Sequence, residues 1–306
     1  MPLASCILMI RPAAFGFNSE TAKNNFFQNN TSEISQENLQ FLAVTEFDKM
    51  VDILRENNIE VLVVEDTIDP IKPDAIFPNN WLNTSPNGTL NVFPMFAANR
   101  RIEKREDIIT QLQHHFVVHH FKEWSEYENE GKFLEGTGSM IIDYENKFIY
   151  ACRSDRTHPA VLEKFAANNG FKAFAFTATD ENNHEIYHTN VMMCLGNTFA
   201  VVCEDSIKND DEFIALTHLL KHTNKEIIPI SFHQMKNFAG NMLQVKTTTN
   251  ESRLIMSQSA FNSLSKLQVQ LLEKHSTLLP INVSLIEHIE GGSVRCMMAE
   301  IFLEKK

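Results

Sequence analysis

Residues 187–231 read YHTNVMMCLGNTFAVVCEDSIKNDDEFIALTHLLKHTNKEIIPIS. Two apolar runs, Tyr187–Gly196 and Thr198–Glu204, flank a Gly196–Asn197 turn, the composition of a hairpin. A helix opens at Asp210–Asp211 and carries Phe213, Ile214, Leu216, Leu219 and Leu220 on a helical period. A short apolar run, Ile227–Ser231, then reads as a third strand. The order is strand, strand, helix, strand.

The same order recurs on both sides. Upstream stand LEGTGSMIID (134–143), a turn at Glu145–Lys147, FIYACRS (148–154), a helix with Pro159 in its first turn and Gly170 as its stop, and FKAFAFT (171–177). Further upstream come NWLNTS (80–85), a Pro86-Asn87-Gly88 turn, TLNVFPM (89–95), a helix through Ile108, Ile109 and Leu112, and FVVHHF (116–121). Downstream are GNMLQVKT (240–247), RLIMSQ (253–258), a helix carrying Phe261, Leu264, Leu267, Leu271 and Leu272, and INVSLIE (281–287). The first copy is the least regular: SCILMIRP (5–12), a polar insert over roughly residues 18–42, a helix near Glu46–Asn57, and IEVLVVE (59–65).

A polar residue heads each unit. Asn80, Glu135, His188, Asn241 and Cys296 follow one another at intervals of 55, 53, 53 and 55 residues. At about 150 residues per domain the length alone suggests two domains, but a fixed period near 50 indicates equal units around a shared core. The expectation is an α/β fold, a five-fold pseudo-symmetric α/β propeller of five ββαβ units. It forms a single domain over residues 1–306, with units at 1–66, 75–122, 133–178, 186–232 and 238–306.

A net charge of −12 speaks against nucleic acid or an anionic membrane as partner. No apolar run reaches the roughly 18 residues of a membrane span. The start MPLASCILMIRP has no basic segment before its apolar stretch and reads as a strand, not a signal peptide. Five cysteines make no even disulfide set and fit a reducing cytoplasm.

If the first strands of the units lie near the axis, their heads converge on one pocket. It then receives Asn79 and Asn80, Glu135, His188 with Asn190, Asn241 and Cys296. A cysteine, a histidine and a carboxylate from separate units make a nucleophile, an acid/base and an orienting partner. Cys296 follows Gly291-Gly292 and has Arg295 and Glu300 as neighbours. Cys6, Cys152, Cys194 and Cys203 lie in apolar strands and read as inert packing. Asn241 reads as a turn residue. His114, His115, His119 and His120 lack an accompanying ligand pattern and read as a solvated helix end and strand, so neither metal nor organic cofactor is expected.

The ordered set D-x-x-F-x-x-N (Asp74 to Asn80), E-G-x-G (Glu135 to Gly138), H-x-N (His188 to Asn190) and G-G-x-x-x-C (Gly291 to Cys296) resembles the guanidino-group-modifying, or pentein, superfamily. That group includes arginine deiminases, dimethylarginine dimethylaminohydrolases and amidinotransferases. The resemblance implies Cys296 as nucleophile, His188 as general acid/base and Glu135 as the carboxylate holding substrate N–H groups and the histidine. It also implies Asp74 as a substrate contact and Arg156, in RSDRT, as a candidate for the substrate α-carboxylate. Arg101 is a second such candidate, with Arg100 its alternative.

In arginine-directed members the positions of Asn80 and Asn190 are typically Asp. A guanidinium buried against amides forgoes its ion pairs, whereas an amide offers a neutral ureido group both a donor and an acceptor. The expected substrate is therefore citrulline, in line with the citrulline-utilisation hydrolase branch that the chain resembles most. The products would be ornithine, ammonia and carbon dioxide. Alternatives are hydrolysis of arginine or methylarginine, amidino transfer, or a non-catalytic binding protein on the same scaffold. The expected partner is a small-molecule amino acid, with a homo-oligomer possible.

Overall fold

The computed structural model describes residues 2–30 and 34–306. In chain order the strands are β1 (Cys6–Arg11), β2 (Glu60–Glu65), β3 (Leu82–Thr84), β4 (Thr89–Val92), β5 (His120–Glu123), β6 (Ile141–Asp143), β7 (Phe148–Cys152) and β8 (Lys172–Phe176). They continue with β9 (Met193–Leu195), β10 (Phe199–Val202), β11 (Glu226–Pro229), β12 (Leu243–Lys246), β13 (Ser252–Ser257), β14 (Thr277–Ile281) and β15 (Ala299–Ile301). Among the described residues these strands form five sheets of three.

Every sheet has the same internal pattern. In the stretch 187–231, β10 pairs antiparallel with β9 (Val201 opposite Cys194) and parallel with β11 (Val201 opposite Ile228). A hairpin supplies the antiparallel neighbour; the parallel one needs a crossover, which the helix Asp210–His222 provides. Asn209 caps that helix by accepting from the Glu212 backbone N–H, and Asp210, Asp211 and Glu212 fill its first turn. Leu216 and Leu220 face the sheet and are buried, whereas Ile214, expected on the apolar face, is 63% exposed. The middle strand β10 is buried throughout, so its side chains pack on both faces.

The first sheet is assembled differently from its expected form. β1 pairs parallel with β2, but its antiparallel neighbour is β15, with Cys6 opposite Ile301. Residues 238–306 are therefore not one self-contained unit, because their last strand belongs to the first sheet. The third strand of the fifth sheet is β14, and most of INVSLIE, expected as that strand, is the helix Ser284–Glu290. The helix expected through Phe261 and Leu272 is broken at Leu264 into Gln258–Ser263 and Lys266–Glu273. Ser265 and Gln268 form a capping box that starts the second piece, and Leu267 points outward at 65% exposure.

Two further differences concern the site. Where LEGTGSMIID and YHTNVMMCLG suggest continuous strands, the strand proper is only three residues long, and a helical turn precedes it (Gly136–Ser139, Thr189–Met192). The polar insert is also shorter than expected, since the first helix already begins at Gln36 and runs to Glu56. Leu39, Ala43, Phe47, Met50, Val51 and Leu54 form its buried stripe. Residues 31–33 of the insert lie outside the described residues.

Candidate active site

Short turns at the heads of the units place the polar side chains. In the turn after Glu135, the Glu135 N–H donates to Ser139 Oγ (2.9 Å), and Ser139 Oγ donates to the Arg156 carbonyl (2.7 Å). This ties the head of one strand to the RSDRT loop. Gly138 permits the closest approach. A Cβ there would lie 2.6 Å from Asn80 Nδ2 and 2.8 Å from His188 Cε1, so no other residue lets both side chains in. Gly291 has φ +63° and packs against the Phe27 backbone at a distance a Cβ would close to 2.7 Å. The Gly-Gly pair thus seats the insert and the Phe77 ring as well as giving freedom to the cysteine loop.

Of the expected residues, Asp74, Asn80, Arg156, His188 and Cys296 line one small cavity of about 20 Å³. Glu135, buried behind it, accepts a 2.8 Å hydrogen bond from His188 Nε2, a 2.9 Å bond from the Phe96 N–H, and an ion pair with Arg156 at 3.6 Å. Asn79 also stands behind, accepting from Asn80 Nδ2 at 3.1 Å. Asn190 Nδ2 lies 3.6 Å from Cys296 Sγ, and its Oδ1 is buried without a partner. Arg101 is not part of this assembly. It is about one-third exposed, its guanidinium donating to the Met95 and Phe96 carbonyls. Its neighbour Arg100 lines the cavity instead, gripping Glu103 with two 2.8 Å bonds, donating to Asn80 Oδ1 (2.9 Å) and lying 3.3 Å from Asp74. The expectation for Arg101 is corrected accordingly: on this tight turn, adjacent residues point to different sides.

Asn241, expected as a turn residue, touches the nucleophile candidate. Its Nδ2 lies 3.3 Å from Cys296 Sγ and also donates to the Asn190 carbonyl (3.0 Å), while its Oδ1 accepts from the Arg295 N–H (3.0 Å). The expected insert supplies another part of the wall. Asn24 Oδ1 accepts from Arg156 Nε (3.1 Å), Asn25 Nδ2 donates to the Glu290 carbonyl (3.0 Å), and Gln28 Nε2 lies 3.4 Å from Glu290 Oε2. The Arg156 guanidinium is stacked over the Tyr187 ring at 4.7 Å. Sequence reasoning passed over Asn24, Asn25, Gln28 and Glu290. The only signal was a run rich in asparagine inside an otherwise ordinary loop.

The charges follow from this packing. Burial pushes Glu135 up, but Arg156, the His188 hydrogen bond and Arg100 outweigh it and hold the carboxyl down to about 2. His188 goes the other way. Burial disfavours the imidazolium more than Glu135 supports it, and its pKa falls to about 4. At neutral pH a carboxylate therefore accepts from a neutral imidazole, which leaves Nδ1 as the ring nitrogen able to take a proton. Burial pushes the other cysteines up, to about 12 for Cys6, Cys152 and Cys194 and about 11 for Cys203. These four are inert thiols at neutral pH. Among the described residues no group of three or more His, Cys, Asp or Glu side chains is placed to hold a metal ion. His115 ends the helix Glu106–His115 and His120 begins β5. No helix among them is long and apolar enough to cross a membrane.

A buried thiol with amide donors and a carboxylate-oriented imidazole on one cavity can carry out nucleophilic attack with proton transfer. ArgZ in its apo form, an arginine dihydrolase from the ornithine-ammonia cycle in cyanobacteria, superposes with a TM-score of 0.73 at 17% identity over 98% of this chain. The chain spans 40% of that protein's length. A dimethylarginine dimethylaminohydrolase (DDAH) from Pseudomonas aeruginosa, in a cysteine-to-serine mutant complexed with citrulline, gives 0.69 at 14% identity over 98% of this chain and all of the other. AgrE, in its ternary complex with ornithine and NAD+, gives 0.73 at 17% identity, over 96% of this chain and 39% of that one. No curated protein matches the chain in sequence. The five-sheet propeller is thus the pentein fold. The family model described as N,N dimethylarginine dimethylhydrolase, eukaryotic, matches residues 11–303, and the chain belongs to that family of hydrolases acting on carbon–nitrogen bonds.

Proposed function

We propose that the protein is a cysteine hydrolase of a ureido amino acid, citrulline, releasing ornithine, ammonia and carbon dioxide. The observation that carries this reading is the pair of amides against Cys296. Asn190 and Asn241 are its hydrogen-bonding neighbours, and Asn190 Oδ1 is a buried acceptor with no partner. A ureido N–H can satisfy that oxygen, whereas a guanidinium there would lack the ion pair that offsets its desolvation. Asn80 supports the reading less directly, because Arg100 occupies its oxygen and Asn79 its nitrogen.

In this mechanism His188 takes the Cys296 proton on Nδ1, and the thiolate attacks the ureido carbon. The carbon–nitrogen bond to the leaving group breaks as His188 returns the proton to that nitrogen. A thiocarbamoyl adduct is left on Cys296. Water, deprotonated by His188, cleaves the adduct and restores the thiol. The resulting carbamate decomposes, so that one water converts citrulline to ornithine, ammonia and carbon dioxide. Glu135 keeps His188 in the required tautomer. Arg156 and Arg100 supply positive charge for the substrate carboxylate. A cytoplasmic setting fits the five free cysteines.

A second reading, hydrolysis of arginine or a methylated arginine, is favoured by the description of the family model and by Asp74 in the cavity wall. Incubating the pure protein with citrulline, arginine and dimethylarginine, and assaying ornithine, citrulline and ammonia, separates the two. Ornithine from citrulline, lost in Cys296→Ala, is the expected result. Turnover of arginine or dimethylarginine without turnover of citrulline would refute it, and activity that survived Cys296→Ala would refute the covalent route.

A further inference from the structure

The orientation of the Glu135 carboxylate depends on a donor outside the cavity. Its Oε2 takes the His188 hydrogen bond at 2.8 Å, and its Oε1 is fixed by the Phe96 N–H at 2.9 Å. A carboxylate turned about its last bond would present a different lone pair to His188, so the Phe96 peptide decides where Oε2 points. That peptide belongs to residues 93–97, which form neither helix nor strand and connect β4 to the turn Ala98–Glu103. An acid–base pair that hangs on a loop peptide stays in place only if the peptide is itself held.

Every backbone polar group from Pro94 to Phe96 has a partner. The Pro94 carbonyl accepts from the Leu134 N–H (3.4 Å), and the Met95 N–H donates to Glu128 Oε1 (2.8 Å). Arg101 closes the other side. Its Nε donates to the Met95 carbonyl (3.1 Å) and its Nη2 to the Phe96 carbonyl (3.4 Å). Glu128 lies on the turn Ser125–Glu130, pairs with Lys104 and faces Arg101 Nε at 3.6 Å. Lys104 in turn donates to Ser125 Oγ at 2.6 Å. The Phe96 ring meets the Phe133 ring edge-on at 5.4 Å, and the Arg101 guanidinium sits 5.7 Å over that same Phe133 ring. Glu128, Lys104 and Arg101 all stand outside the cavity wall. Water could serve the polar groups of an ordinary surface connection, but here charged side chains serve them at fixed angles.

We propose that Glu128 and Arg101 are positioning residues, clamping the Met95–Phe96 peptide so that its N–H sets the Glu135 carboxylate and, through it, the tautomer of His188. The inference rests on the reading of Cys296, His188 and Glu135 as a hydrolytic set, and it holds for a ureido or a guanidino substrate alike. It gives Arg101 a part in turnover that needs no contact with substrate. Glu128 acts by accepting the Met95 N–H, which a glutamine can also do. Arg101 acts as a fork across two carbonyls, which the single ammonium of a lysine does not reproduce.

The His188 tautomer is the readout that a merely structural role would leave unmoved. NMR of ligand-free protein with 15N-labelled histidine reads it directly, with His188→Gln identifying the resonances. Wild type and Glu128→Gln should show the Nε2–H form alone, and Glu128→Ala a mixture of the two tautomers. Glu128→Ala should also lower kcat roughly tenfold with KM nearly unchanged, and Glu128→Gln should restore most of that loss. Arg101→Lys replaces a side chain that is one-third exposed, so the fold is retained, and it should mix the tautomers and lower kcat as well. A single tautomer in both Glu128→Ala and Arg101→Lys would overturn the proposal. So would a Glu128→Gln enzyme as slow as Glu128→Ala. An Arg101→Lys enzyme with a raised KM and normal kcat would overturn it too, as the mark of a direct substrate contact. The expected tautomers in a protein that turns over neither citrulline nor arginine nor dimethylarginine would sink the hydrolase reading and leave the clamp standing.

Discussion

Asn241 offers the sharpest test of the site. Both protons of its Nδ2 are used, one on the Asn190 carbonyl at 3.0 Å and one toward Cys296 Sγ at 3.3 Å. Its Oδ1 meanwhile anchors the Arg295 N–H at 3.0 Å, the backbone next to Cys296. Asn241→Asp is nearly isosteric, keeps the acceptor for Arg295 and removes both donors. A hydrogen bond to a charged group contributes about 1.5–3 kcal/mol, so losing the donor to the thiolate slows its reactions roughly 10- to 150-fold. The new carboxylate beside the thiolate deepens the loss. The assay is alkylation of Cys296 by iodoacetamide at pH 7, followed by mass spectrometry. It is selective because burial keeps the four other thiols protonated. An Asn241→Asp protein that unfolds at the wild-type denaturant midpoint yet is alkylated at the wild-type rate would refute the assignment.

Protonation of His188 should be visible in stability. Its folded pKa of about 4 lies below the ordinary 6.5, so the unfolded chain binds the extra proton first, and about 3 kcal/mol present above pH 6.5 is lost as the pH falls toward 4. Urea unfolding at both ends of that window should show the loss, and a shallower loss in His188→Gln; identical slopes would contradict the buried neutral imidazole. Gly138→Ala should drive His188 and Asn80 apart from Glu135 and cost on the order of 100-fold in turnover with the fold retained. A kinetically normal Gly138→Ala enzyme would show that the close approach is dispensable. Arg156→Ala should free the segment that Arg156 holds through Asn24 Oδ1 and the Thr21 carbonyl. Trypsin should then cut after Lys23 faster than in the wild type, and equal cleavage rates would count against that anchoring.

The unit order was legible because hydrophobic period and turn chemistry are local properties. The pocket was partly legible because Glu135 and His188 are polar residues embedded in apolar runs. What stayed hidden depends on contacts between distant parts of the chain. Nothing local in AEIF distinguishes a strand that pairs with β1 from one that ends the fifth unit. GTGS and TNVM carry enough small and apolar residues to pass for strand, but they form turns whose Ser139 and Thr189 hydroxyls bond to distant backbone, at Arg156, Cys152 and Ser139. Arg100 and Arg101 are chemically identical, and the phase of one helical turn separates a pocket residue from a surface one. Glu290 looks like any acid at the end of an amphipathic helix until Asp74 is placed opposite.

The pairing of β15 with β1 also bears on the site. Cys296 lies three residues before β15, whereas the hydrogen-bonded Glu135 and His188 come from the middle of the chain. The pairing of β15 with β1 completes the ring and holds the adjoining Cys296 on the cavity that His188 also lines. A chain lacking its final strand would keep Cys296 but lose the pairing that anchors the segment next to it. The same strand pairing that closes the ring therefore also fixes the position of the Cys296 loop.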